Sequence, residues 1–100
     1  MSTYGALATR IRGELADLVR CVDRAGVLLN KARTSGDSDY LDGVALNLHA
    51  FYTGVEHALE AIAREIDGGL PGGAEWHRDL LLQMSGAIPK VRPAVLSTET

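Results

Sequence analysis

The polar side chains best suited to chemistry cluster in the middle of the chain, at Asn47, His49, Tyr52, Glu56 and His57. Successive residues turn by ~100° around a helix, which places His49, Tyr52 and Glu56 on a shared side, where a hydrogen-bonded group is possible. Asn47 lies about 200° from His49 around the helix. The two side chains can therefore belong to one compact site only if a second helix or subunit contributes residues to it. Two interpretations stay open: support for a functional site, or polar side chains satisfied at a helix interface.

Metal binding and the common catalytic motifs are not favoured by the residue spacing. His57 precedes Glu60 in the wrong order for the Glu-x-x-His of di-iron bundles, and no two histidines lie four apart. The glycines of residues 68–73 come without the Lys and Ser or Thr of a phosphate-binding loop. We therefore expect no metal and no cofactor, and we expect the single cysteine, Cys21, to be a half-buried packing residue.

Basic residues of the first helical segment form a second candidate site. Arg20, Arg24 and Lys31 fall on roughly one side of a helix, an arrangement that suits contact with RNA phosphates. The chain is nevertheless acidic overall, with a formal net charge of −3 and a pI near 5.5. A solvated helix surface is therefore the competing interpretation.

Two long amphipathic helices are expected to position both groups. Apolar residues recur every three or four positions from Tyr4 to Leu29 and again from Leu41 to Ile66, the spacing of one helix face. Turn-forming residues 34–39 separate the two segments, and the glycine-rich residues 68–73 end the second. The sequence predicts helices over about residues 3–33, 38–67 and 74–87, then an extended or frayed tail over residues 88–100.

These periods predict an all-α fold, with an antiparallel hairpin of two long helices and a short third helix. The 100 residues suit a single domain over residues 1–100. Residues 1–34 carry a net charge of +3 and residues 35–67 a net charge of −6, so the long helices are electrostatically complementary. We expect an up-and-down four-helix type of bundle that is completed by dimerisation.

The chain has neither a membrane-spanning pattern nor a secretory signal. No apolar run approaches the ~20 residues that a bilayer requires. Arg10 and Arg12 interrupt the N-terminal region, which lacks the continuous apolar stretch of a signal peptide. We therefore expect a cytoplasmic protein with no membrane partner.

Several blocks of sequence, in this order and spacing, resemble the HepT-like branch of the HEPN superfamily. They are DGVALNLHAFYTGVE at residues 42–56, GLPGG at 69–73, WHRDLL at 76–81, QM at 83–84 and RPAVLS at 92–97. The resemblance implies a helical bundle that dimerises and is encoded beside a minimal nucleotidyltransferase. In such toxin-antitoxin pairs the HEPN protein is the RNA-cleaving toxin and the nucleotidyltransferase its antitoxin.

The nuclease motif of that family is not found in this chain. The motif is an Arg and a later His with four to six residues between them. None of the eight arginines has a His at that spacing, five to seven positions downstream. We therefore interpret the chain as a C-terminally truncated member. Its candidate residues, Asn47, His49, Tyr52 and Glu56, then support the site rather than cut RNA.

A shortened bundle should leave an apolar groove, which self-association would cover at Leu48, Phe51 and Val55. Two alternatives to the toxin component remain. One is a non-catalytic helical binding module that holds a substrate or partner for the nucleotidyltransferase. The other is a purely structural bundle made from two hairpins.

Overall fold

The structure, a computed structural model, describes residues 4–97, and its regular elements are helices. Helix α1 spans Gly5–Ser35, α2 spans Tyr40–Ile62 and α3 spans Trp76–Ser85, and a π-helical turn at Ala63–Asp67 follows α2 directly. Within residues 4–97 the only β pairing is an isolated bridge between Ile88 and Arg92. The predicted all-α fold is confirmed, and the helical segments begin and end within about two residues of the predicted bounds when the π-helical turn is counted with α2.

Helices α1 and α2 pack against each other as an antiparallel hairpin, as the sequence predicts. A Cβ atom added to Gly54 would lie 2.6 Å from Leu18 Cδ2, and one added to Gly43 would lie 2.7 Å from Leu28 Cδ1. Gly43, near the start of α2, lies against Leu28, and Gly54, further along α2, lies against the earlier residue Leu18, so the two helices run antiparallel. The two glycines therefore let the helix axes approach closely.

A glycine turn joins the two helices of the hairpin. Gly36 adopts the left-handed conformation at φ 72°, and its N–H donates to the carbonyl of Ala32 at the end of α1. The Asp37 carboxylate then accepts a hydrogen bond of 2.9 Å from the N–H of Asp39 just before α2 begins. This local hydrogen bond is typical of turns, where aspartate stabilises the reversal of the chain.

The chain divides into two compact units, residues 1–56 and residues 57–100. The buried apolar side chains of the first unit are Leu7, Leu18, Ala25 and Leu28. Those of the second unit are Ala58, Leu59, Ala61, Ala63, Leu80 and Met84. The assignment of residues 1–100 to a single domain stays a prediction. No helix between residues 4 and 97 is both long enough and apolar enough to cross a bilayer.

The apolar stripes of the hairpin are less buried than the sequence predicts. Tyr52 is 67% exposed and Leu48 is 44% exposed on α2, and Leu15 and Val22 of α1 are also exposed. Of the residues predicted to line an apolar groove, Leu48 is exposed and Phe51 and Val55 are half-buried, because α2 turns its glycine side towards α1. The period correctly indicates a helix, but it overstates how much of the helix faces the core.

Candidate functional site

Asn47 is separated from the rest of the predicted polar group. Its side-chain amide donates a 2.8 Å hydrogen bond to the backbone carbonyl of Gly43, one turn earlier on α2. The same side of α2 packs on α1, because Gly43 is in contact with Leu28. Asn47 is therefore a partly buried polar residue of the hairpin, whose side chain is satisfied by its own helix.

His49, Tyr52 and Glu56 lie on the opposite, outer side of α2. His49 and Tyr52 are exposed and Glu56 is half-buried. The Tyr52 ring meets the Phe51 ring edge to face, with centroids 5.8 Å apart and an interplanar angle of 75°. The helix geometry thus brings these three side chains to one surface and leaves Asn47 out, and their role in a functional site stays a prediction.

A broad apolar face lies on one side of the hairpin. It consists of six exposed large side chains, three from each helix: Leu15, Val19 and Val22 of α1, and Leu41, Leu48 and Tyr52 of α2. Measured by helical rotation from the contact line through Leu18 and Gly54, both sets fall on the same side of the hairpin. Two other exposed apolar residues, Val27 and Leu46, lie away from this face. We call these six residues the hairpin face.

The predicted basic stripe is exposed but already partly engaged. Arg20, Arg24 and Lys31 are all exposed on α1. The guanidinium of Arg20 forms an ion pair with the carboxylate of Asp17, one turn earlier on the same helix. Because ion pairs between exposed side chains contribute little, Arg20 remains able to exchange Asp17 for a phosphate group.

The most extensive polar cluster of the second unit is a buried network around Asp67 and Arg92. Arg92 Nε donates to Asp67 Oδ1 and Arg92 Nη2 donates to Asp67 Oδ2, each at 2.6 Å. Gln83 Nε2 donates to Asp67 Oδ2 at 2.7 Å. The side chains of Arg92 and Asp67 are only 5% and 3% exposed. This forked arrangement satisfies both oxygens of a carboxylate that burial would otherwise make costly.

The hydrogen bonds from Arg92 lower the pKa of the Asp67 carboxyl below its ordinary value. Burial opposes this shift, whereas the hydrogen bond from Gln83 adds to it. In return, the hydrogen bond to Asp67 raises the pKa of the Arg92 guanidinium. Both groups are therefore charged at neutral pH, and the pair is an ion pair as well as a hydrogen-bonded one.

The residues after α3 are held in place rather than frayed as far as residue 97. The N–H groups of Val95 and Leu96 both donate to the carbonyl of Met84, at 2.8 and 3.1 Å. Ile88 and Arg92 exchange two backbone hydrogen bonds of 2.9 Å across a turn. This differs from the extended or frayed tail that the sequence predicts, and the last three residues of that prediction lie outside the described residues. We call residues 86–97 the strap.

Three further features bear on the chemistry available to the described residues. The indole of Trp76 stacks on the imidazole of His77 at the start of α3, with ring centroids 3.6 Å apart. Cys21 is free and half-buried. Among residues 4–97, no three His, Cys, Asp or Glu side chains are grouped so that they could hold a metal ion.

The architecture is that of a helical-hairpin protein with a short third helix and a docked strap. The family model described as HepT-like protein matches residues 43–100, which is more than half of the chain. The chain therefore belongs to the HepT-like family, as the sequence blocks indicate, and this is consistent with the HEPN superfamily. No curated protein and no solved structure gave a significant match.

The buried network is the feature that sequence reasoning missed. Gln83 and Arg92 stand in two of the blocks that carry the family resemblance, but neither was given a role. Asp67 precedes Gly68, whose left-handed conformation at φ 90° closes the π-helical turn. A charged residue just before a helix-ending glycine and an Arg just before Pro93 were the available signals, and neither indicates by itself that the two side chains meet.

Proposed function

We propose that the chain is the HepT-like component of a prokaryotic nucleotidyltransferase/HEPN toxin-antitoxin pair, acting in the cytoplasm. The observation that carries this proposal is the HepT-like match over residues 43–100. In the proposed pair a minimal nucleotidyltransferase is the antitoxin partner, and this chain is the domain of the RNA-cleaving toxin.

The role proposed for the polar group of α2 is support of the RNA site rather than bond cleavage. None of the arginines is followed by a His at the spacing of the family's nuclease motif. His49 is nevertheless exposed on the outer side of α2, where an imidazole can stack on or hydrogen-bond to unpaired bases, and Tyr52 supports this side of the helix through its ring contact with Phe51. Glu56 is half-buried beside them and would help to orient the group.

We propose that the hairpin face binds a second copy of the chain. Six large apolar side chains exposed together on a small protein favour association, because burying them removes apolar surface from water. In a two-fold arrangement the same patch is used twice, so α1 of one copy can lie against α2 of the other. The opposite net charges of residues 1–34 and 35–67 support that pairing.

We propose the basic stripe of α1 as the RNA-facing surface. Its exposed cations, Arg20, Arg24 and Lys31, would contact phosphates and make RNA affinity fall with added salt. Replacing Lys31 with Gln should lower the steepness of the salt dependence by about one unit. A replacement of Lys90, which is exposed in the strap, is the matched control and should leave that dependence unchanged.

The pairing is tested by expressing the tagged chain together with a minimal nucleotidyltransferase from a neighbouring gene and purifying the tagged chain. Retention of the nucleotidyltransferase through a wash at moderate salt is the expected result. Elution of the tagged chain alone, well folded by circular dichroism, would contradict the pairing.

The alternative function is a non-catalytic binding module that holds a substrate or partner for the nucleotidyltransferase. The absence of the Arg-to-His spacing among the 100 residues favours it. The two functions differ in their effect on RNA when the chain is expressed alone in a bacterial host. Shortened cellular RNA that is protected by co-expressed nucleotidyltransferase supports the toxin, and intact RNA with retained nucleotidyltransferase binding supports the module.

A further inference from the structure

The strap is attached to α3 through a small number of polar contacts that converge on Arg92. The C-terminal carbonyls of a helix lack partners within the helix and carry partial negative charge. Arg92 Nη2 donates to the carbonyl of Gln83 at 3.1 Å, and Arg92 Nη1 donates to that of Gly86 at 2.7 Å. The strap's own N–H groups at Val95 and Leu96 donate to the carbonyl of Met84. The strap therefore acts as the C-terminal cap of α3.

A buried cation at a helix end requires a counter-ion, and Asp67 supplies it from the π-helical turn. The carboxylate and Arg92 are both more than nine-tenths buried. Gln83 links the same carboxylate to α3, and its amide also reaches the carbonyl of Gly69 at 3.4 Å. Three segments of the second unit thus meet at one side-chain network, while the outer surface of the strap stays exposed at Val91 and Val95.

We infer that the strap opens and closes on α3 as one unit, and that Asp67, Gln83 and Arg92 are the lock that keeps it closed. Opening breaks the bonds from Arg92 to Asp67 and to the α3 carbonyl of Gln83, and it frees the Met84 carbonyl, whereas the bond from Arg92 to Gly86 stays within the strap. Met84 itself is 0% exposed, and its carbonyl accepts both strap N–H groups, so opening leaves that carbonyl without its strap donors. The inference concerns the second unit only and does not rest on the proposed function.

The lock is tested by amide hydrogen exchange of the whole chain, read at the N–H groups of Val95 and Leu96. Arg92→Met keeps much of the apolar stem and removes every donor, and Asp67→Asn with Arg92→Met removes both charges. Since no buried charge is left alone in the double variant, it separates loss of the lock from the penalty of an unpaired carboxylate. Arg20→Met, which breaks the exposed pair with Asp17, is the matched control.

In both Arg92 variants the strap amides should exchange at least about 100-fold faster than in the wild type. The α1 amides between Leu18 and Leu28 should keep their rates, and Arg20→Met should change neither region. If Arg92→Met does not fold, Arg92→Lys keeps the charge without the forked donors, and it should speed strap exchange about tenfold.

Two results would overturn the inference. If the Val95 and Leu96 amides of the double variant exchange at the wild-type rate, backbone and apolar contacts hold the strap. The Asp67 and Arg92 charges would then only compensate each other. Equal acceleration of the strap and α1 amides would mean that the strap does not open separately from the rest of the chain.

Discussion

The hairpin and the second unit are held together by different kinds of contact. In the hairpin, the helices approach through glycines and leave the six residues of the hairpin face exposed. In the second unit, a nearly fully buried ion pair joins the π-helical turn to the strap, and Gln83 connects it to the end of α3. In the hairpin, the ion pair between Arg20 and Asp17 lies on the surface, with side chains 74% and 64% exposed.

The difference concerns which groups find partners inside the chain. The polar groups of the network around Asp67 bind one another and the α3 carbonyls, so the second unit needs no partner to satisfy them. The hairpin face gains from being covered, because its six exposed side chains are apolar and lie on one side of the hairpin. The second unit also exposes apolar side chains, at Leu81, Leu82, Val91 and Val95. We therefore expect the chain to self-associate through the hairpin face, and we expect the polar network to stabilise the second unit from within.

The largest expected effect is on the buried ion pair. Arg92→Met should destabilise the chain by about 3 to 5 kcal/mol, because it leaves the Asp67 carboxylate buried without its partner. Arg20→Met should cost less than about 1 kcal/mol, since both members of that pair are exposed. Urea unfolding of the two variants measures the contrast. Similar midpoints for both would mean that burial does not distinguish the pairs.

The next effect is on assembly by the hairpin face. Leu48→Glu should weaken self-association about 30-fold or more, because it places a charge in the middle of an apolar interface. Leu46→Glu is the control, since Leu46 is 68% exposed on the same helix but away from the face. Sedimentation velocity over a range of micromolar concentrations measures both. Equal behaviour of the two variants would assign the interface to another surface.

The packing of the hairpin predicts opposite outcomes at two glycines. Gly54→Val should destabilise by about 1 to 3 kcal/mol, because even a Cβ atom there would meet Leu18 at 2.6 Å. Gly13→Ala, with nothing within 4 Å of the added atom, should instead stabilise α1 by roughly 0.5 to 1 kcal/mol. Thermal unfolding of both variants is the measurement, and a gain in stability for Gly54→Val would refute the close approach of the helices.

The smallest expected effect is the pH dependence of the second unit. The folded pKa of Asp67 is lowered from its ordinary 3.8, so the pair stabilises fully above that value. This contribution is lost as the pH falls below 3.8 and through the lower folded pKa. Denaturant titrations from neutral pH down to about pH 2 should show this loss in the wild type and a shallower loss in Asp67→Asn. Identical dependence of stability on pH in the two proteins would contradict the lowered pKa of Asp67.

The helices could be predicted from the sequence because their signals are local. Apolar residues recurring every three or four positions gave both long helices, and Gly36 and Gly68 end regular segments as expected. What the period could not show was which side of α2 faces α1. Gly43 and Gly54 have no hydrophobic signal, yet they mark the contact, whereas the more apolar Leu48 and Tyr52 remain exposed.

The candidate site was only partly predictable for a related reason. Helical rotation correctly separated Asn47 from His49, since both lie on one regular helix. The pairing of Asp67 with Arg92 joins residues 25 positions apart through a π-helical turn and a strap, and no local pattern encodes either. Long-range polar pairs of this kind become visible only when the tertiary structure is known.

The most direct test of the account is the native mass of the complex that forms when the chain is co-expressed with a minimal nucleotidyltransferase. The account predicts a mass containing two copies of the 10.7 kDa chain together with the nucleotidyltransferase. It also predicts that Leu48→Glu reduces the copy number to one while Leu46→Glu does not. A folded monomer that binds no nucleotidyltransferase would contradict both the proposed assembly and the proposed function.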